Sequence, residues 1–217
     1  MKAIILAAGI GARMRPLTDT KPKPMLVVAG QTIIERMIKQ IINHGILDIC
    51  VVTGYFHDEL ETYLSQLFPS INLTFIYNEI YYRTNNIYSM YLALQNYPID
   101  DDLLLLESDL VFSETVLDKA INCPFQNLAV VDKYQAGMDG TVVVVDGDIV
   151  TNIIPPHLQG PNFDYGDKFK TLNIYKFSKE FIDTSFRKLL SFYTTVYDDN
   201  CYYVLIPAHL NSETGNT

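Results

Sequence analysis

The chain has 217 residues, enough for one large domain or two small ones, and its 48% hydrophobic and 19% charged composition excludes a disordered or fibrous chain. A net charge of −9 argues against the basic face that nucleic-acid binding needs, and no apolar run reaches the ~18 residues expected of a membrane-inserted span. The charge is uneven: residues 1–44 carry seven Lys and Arg against two Asp and Glu, the remainder nine against 23, so an anionic ligand is expected at the N-terminal end. The cysteines Cys50, Cys123 and Cys201 are odd in number and follow no ligand spacing, which reads as free thiols in a reducing, cytoplasmic setting.

Residues 2–7 (KAIILA) are expected to form a buried strand. The stretch MKAIILAAGIGA resembles a secretory leader, but Arg13 and Arg15 follow at once and no spacer precedes the next patterned segment. Residues 32–44 place Ile33, Ile34, Met37, Ile38, Ile41 and Ile42 at helical spacing, with Gly45 as a stop. DICVVTG (48–54) reads as a strand, HDELETYLSQLF as a helix, NLTFIYN (72–78) as a strand and NIYSMYLALQN as a helix. DLLLLES (102–108) is a strand apolar on both faces. This alternation predicts a parallel sheet covered by helices on both sides.

After residue 125 the rhythm changes. LAVVDKY reads as a strand, GTVVVVDGDIVTNI as a hairpin turning on Asp146-Gly147-Asp148, and residues 155–168 as a Pro/Gly-rich loop long enough to act as a lid. KTLNIYKF (170–177) is a further strand, and Ser178 caps a helix. The expected fold is a Rossmann-like α/β domain with a mixed, mainly parallel sheet, helices on both faces and antiparallel additions in the C-terminal half.

A strand running into glycines is where α/β sheets bind phosphates, because consecutive backbone N–H groups form an anion nest. Gly9 and Gly11 provide such a loop, although Met14 stands where a dinucleotide fingerprint has its third glycine, and a tight turn with surface bases is the plain alternative. Arg13, Arg15, Lys21 and Lys23 crowd the segment, and Pro16, Pro22 and Pro24 stiffen it, which suits a polyphosphate.

LAAGIGARMRPLT followed by KPKPML resembles the signature of nucleotidylyltransferases that activate sugar phosphates and phospho-alcohols, of form LAAGxGxRMxPLT…PKPML. NEIYYRTNNIYSMYLAL, LLLLESDLVF, MDGTVVV and KTLNIYKFS are similar to the phosphocholine and 2-aminoethylphosphonate cytidylyltransferases, the aminoethylphosphonate branch more closely. The similarity runs from residue 2 to about residue 203.

The resemblance implies transfer of CMP from CTP to a small zwitterionic phosphonate or phosphate, with Mg2+ as cofactor. It assigns the nucleotide to Leu6, Ala7, Ala8, Gly9, Gly11 and Arg13, and the reacting phosphates to Lys23. It also puts a metal ligand at Asp109 and base and ribose contacts at Asn85, Asn86 and Ser89. Arg13, Lys23 and Asp109 are thus the expected catalytic residues, and Lys21 a surface charge. Helix capping is the competing explanation for Asp109 and for one of the asparagines. For the acceptor, Lys133 and Lys170 are candidates for its anionic end and Asp139 for a primary ammonium, a turn residue beside Gly140 being the alternative. The tyrosines clustered at 77–91 could instead face a quaternary ammonium, or be core.

The chain departs from the resemblance after DDNCYY, where relatives continue with a Glu, a helix and an acidic segment. Residues 204–217 are therefore expected to be a divergent, disordered tail on a domain of 1–203, with Asp109 as the remaining family metal ligand and turnover impaired. Asp198 and Asp199 have no metal role in the resemblance. A sugar-1-phosphate nucleotidyltransferase and a nucleotide-binding domain without turnover are the other readings. The pattern assigns no oligomeric state.

Overall fold

The computed structural model describes residues 1–204 and 206. Four parallel strands form its centre: β1 (Lys2–Ala7), β4 (Asp48–Thr53), β5 (Asn72–Tyr77) and β6 (Leu103–Glu107). They lie in the order β5-β4-β1-β6, so β1 neighbours both β4 and β6 and the chain changes direction of travel at the β1/β6 boundary. The carboxyl edge of such a boundary is where open α/β sheets leave a crevice.

The helices form as the periodicity requires. In α1 (Ile33–Asn43) the Thr32 side chain accepts from Glu35 N (3.2 Å), and Ile33, Ile34, Met37, Ile38 and Ile41 are buried. This helix, α2 (His57–Leu67) and α4 (Glu114–Asn122) cover one face, through Leu60, Leu64 and Leu117. The other face is covered by α3 (Asn86–Asn96) and a C-terminal helical run. That run comprises α5 (Lys179–Phe181), a π segment (Ile182–Phe186), α6 (Arg187–Phe192) and a second π segment (Tyr193–Tyr197), more irregular than one capped helix. β1 contributes alternately to both clusters, Ile4 and Leu6 to one and Ala3, Ile5 and Ala7 to the other.

The expected change of rhythm is present. β10 (Phe169–Phe177) pairs antiparallel with β7 (Leu128–Lys133) along one edge, and its other edge is shared between β8 (Val142–Asp146), at Phe169 and Lys170, and antiparallel β6, from Ile174 to Phe177. β8 and β9 (Ile149–Ile154) form the hairpin, Gly147 holding a positive φ of 58° in its turn. The two partners on one edge of β10 require a bend. It falls at Asn173, whose φ of 55° coincides with a register shift between Thr171 and Tyr175. Asn tolerates the left-handed region better than most residues, and a bulge re-aims the chain.

Two elements were not anticipated: α4, and a short hairpin of β2 (Val27–Val28) and β3 (Gln31–Thr32). Residues 155–168 hold only one 3-10 turn, Pro156–Leu158. Of the expected tail, Val204 and Ile206 are buried against the α3 face, and the rest lies outside the described residues. Cys50 and Cys201 are buried and Cys123 partly so, all three free; burial pushes the Cys50 thiol up to about 12. No described helix is long and apolar enough to cross a membrane.

Candidate active site

A cleft of about 790 Å³ opens at the carboxyl edge of the β1/β6 boundary. One wall is the loop after β1. Gly11 adopts φ 68°, and a Cβ there would lie 3.1 Å from Thr18 Cγ2 and 3.2 Å from Lys23 Cβ, so its glycine is set by both conformation and packing. Around Gly9 a Cβ would meet nothing within 4 Å, leaving its backbone open to a ligand. The loop is held by its neighbour: Gly54, after β4, approaches so closely that a Cβ would lie 2.5 Å from Ala8 O, and Tyr55 N donates to that oxygen (3.1 Å). Leu6, Ala8 and Arg13 face the cleft, whereas Ala7 points into the α1 face of the core.

Cations and carboxylates alternate across this space. Lys23 pairs with Asp109, which lies beyond the end of β6 where Ser108 N donates to Leu6 O (3.1 Å) and ties the two strand ends together. Arg13 Nη1 lies 2.5 Å from Asp139 Oδ2, joining the glycine loop to the MDGT segment; both side chains are more than four-fifths exposed, so the pair contributes little stability. The Lys170 ammonium enters beside Gly140, where a Cβ would sit 3.1 Å from it, and burial lowers its pKa while Asp139 and Asp109 oppose that shift. Lys21 is exposed, and Arg15 pairs at 3.4 Å with Asp19. Lys133 is exposed at the end of β7 and does not line the cleft, so of the two lysines expected to meet the acceptor only Lys170 faces it.

The TNN segment divides its duties. Asn85 is the α3 N-cap, its Oδ1 accepting from Asn86 N (2.8 Å), and its own N–H donates to Asp199 O (3.2 Å). Asn86 donates to Glu107 Oε1 (2.9 Å) and accepts from Tyr203 N (3.2 Å), so both ends of its amide are engaged. Ser89 is buried at the cleft floor and accepts from Asn78 Nδ2 (3.1 Å).

The cleft residues that escaped the sequence reading include Glu107, Asn78, Asn173 and Tyr202. Burial and the neighbouring Asp109 charge push the Glu107 carboxyl up to about 7, against the opposing hydrogen bond from Asn86. The buried hydroxyls of Tyr175 and Tyr203 lie beside it, without a hydrogen bond of normal geometry among the described residues. The available signal was a charged residue ending an all-apolar strand. Asn173 was visible only as an asparagine interrupting a strand pattern.

A glycine loop at a switch point, with lysines and arginine facing carboxylates across an open cleft, defines a nucleotide-phosphate-binding α/β domain. The chain belongs to the MobA-like NTP transferase domain family, matched over residues 3–158. It is 27% identical over 187 residues to the CMP-5'-(3-aminopropyl)phosphonate synthase of Streptomyces rubellomurinus, covering 86% of this chain and 30% of that protein. It is 39% identical over 112 residues to the 2-aminoethylphosphonate cytidylyltransferase of Lancefieldella rimae, covering 52% and 44%. The chain therefore spans less than half the length of these curated relatives. The solved CTP:phosphocholine cytidylyltransferase of Streptococcus pneumoniae superposes with a TM-score of 0.67 at 20% identity, over 98% of this chain and 86% of that one, which shows the shared fold.

Proposed function

We propose that this chain is a cytidylyltransferase that transfers CMP from CTP to a small phosphonate or phosphate, with 2-aminoethylphosphonate favoured over phosphocholine. The observation that carries the reading is the grouping of Arg13, Lys23, Asp109, Asp139 and Lys170 around one cleft beside an open glycine loop. An acceptor oxygen attacks the α-phosphorus of CTP, and the bond to pyrophosphate breaks. Two anions must meet in line, so the site has to neutralise charge and hold both groups in position.

Arg13 and Lys23 hold the triphosphate against the backbone N–H groups of Gly9 and Gly11. Leu6, Ala8 and Ser89 contact the nucleoside. Lys170 holds the acceptor's anionic end. Asp139, freed of Arg13 when the triphosphate takes that guanidinium, accepts hydrogen bonds from a primary ammonium; a trimethylammonium has no N–H to offer it. The donor set fits magnesium: Asp109 presents a hard carboxylate oxygen to the cleft, and Mg2+ is commonly held by one or two carboxylates with substrate phosphates completing its shell. When bound it supplies charge neutralisation on the phosphates. Among the described residues no group of three or more His, Cys, Asp or Glu could hold a metal, and in this reading the substrate phosphates would complete the shell around Asp109.

The test is pyrophosphate release with CTP and Mg2+ against aminoethylphosphonate, phosphocholine and glucose-1-phosphate. Turnover is expected with the first, less with the second and none with the third. A preference for glucose-1-phosphate would replace this reading with a sugar-phosphate one. CTP binding without turnover would leave a nucleotide-binding domain.

A further inference from the structure

We infer that Asn78, at the end of β5, fixes the direction of the Ser89 hydroxyl and thereby gives the cleft floor a hydrogen-bond donor for the base of the nucleotide. The inference rests on the function proposed above and adds a specificity-determining positioning residue to it.

The argument is one of hydrogen-bond sense. Asn78 and Ser89 are 1% and 4% exposed, and both line the cleft. Ile80 N–H, which can only donate, lies 3.1 Å from Asn78 Oδ1, so the amide oxygen must face the backbone and Nδ2 must face the other way. Nδ2 has two hydrogens and two acceptors, Thr84 Oγ1 at 3.2 Å and Ser89 Oγ at 3.1 Å. Thr84 cannot reverse this arrangement, because its own hydroxyl proton goes to Ile80 O at 3.0 Å, a carbonyl that can only accept. Backbone groups of fixed sense therefore anchor both the amide and the threonine.

Ser89 Oγ is left as an acceptor toward Asn78, with its proton directed elsewhere. Among the described residues no hydrogen bond uses that proton, and the open side of Ser89 is the cleft. A buried hydroxyl needs an acceptor for its proton, and when a nucleotide displaces solvent from the cleft that acceptor has to come from the ligand. The Watson–Crick edge of cytosine presents two, O2 and N3. Asn78 is thus a positioning residue that acts through Ser89, and its place as the first residue of NEIYYRT ties base reading to the end of β5.

The experiment measures CTP affinity by calorimetry on the full chain and on the variants Asn78→Asp, Asn78→Ala, Ser89→Ala and the two doubles. An ionised aspartate offers only acceptors, so it draws the Ser89 proton away from the ligand. Asn78→Asp and Ser89→Ala are each expected to weaken CTP binding by about tenfold or more. Asn78→Ala, which frees the hydroxyl to rotate, is expected to cost less. Neither Asn78 substitution should weaken binding further once Ser89 is Ala. Thermal unfolding confirms that each variant is folded; should the aspartate variant fail to fold, the alanine pair makes the same decision. Equal losses with and without Ser89, or unchanged affinity in the single variants, would overturn the role of Asn78. If the unsubstituted chain binds a different nucleoside triphosphate, the functional reading falls while the same cycle, run with that nucleotide, still decides the hydrogen-bond sense. If it binds none, both fall.

Discussion

Lys21 and Lys23 carry the same charge two residues apart, yet only Lys23 reaches the cleft, where it pairs with Asp109. Between them Pro22 is buried, and Lys23 opens the 3-10 turn Lys23–Met25 that carries it to the cleft, whereas Lys21 stays exposed. Lys23→Ala is therefore expected to lower turnover about a hundredfold, the scale of one preorganised electrostatic contact, measured as kcat/KM in a pyrophosphate-release assay. Lys21→Ala should leave it within about twofold, as exposed substitutions usually do. The reverse outcome would mean that the two lysines have been assigned the wrong way round. The KPKP motif made this distinction legible beforehand. The tie from Asn86 to Glu107 and Tyr203 was not, because its partners lie 21 and 117 residues away in sequence.

Between elements, His44 joins the C-terminal end of α1 to the middle of α4. Its Nδ1 lies 2.7 Å from Gln40 O and its Nε2 2.8 Å from Asp118 Oδ1. Both partners can only accept, so the ring must carry two N–H groups to satisfy both. The Gln40 carbonyl first, and Asp118 with it, accordingly raises the His44 pKa against the opposing effect of burial. A raised pKa places the stabilisation fully below the ordinary value near 6.5 and removes it as pH rises through the folded-state value. A cation at a helix C-terminus is worth about 0.5–2 kcal/mol. His44→Gln should lower Tm by a few degrees at pH 6, and the gap should narrow as pH rises to 9; a constant gap would exclude the charged contact. The sequence showed α1 and its Gly45 stop, since the apolar period is long and regular. It hid α4, a nine-residue helix whose buried residues are only Leu117 and Ala120. Part of what ends α4 comes from elsewhere: Lys176 of β10 donates to Cys123 O at 2.7 Å.

At the scale of the whole molecule, the site depends on how closely adjacent strand ends approach. Gly54→Ala would press a Cβ against Ala8 backbone, which cannot yield as a side-chain tip can. We expect a loss of about 1–3 kcal/mol, read as a lower Tm, together with weaker CTP binding because the glycine loop must shift; an unchanged Tm would show that the two loops separate freely. Nothing local marks Gly54 among the other glycines. By itself the sequence determined the alternation of strands and helices, the central apolar strands and the glycine loop with its basic residues. Each of these is a short-range pattern of period, turn chemistry and charge. Only the tertiary structure decided that Lys170 and not Lys133 faces the cleft, that Asn173 bends β10, and that Asn78 orients Ser89. Those outcomes turn on distances between segments remote in the chain and on the direction of hydrogen bonds, which become defined when the strands are packed side by side.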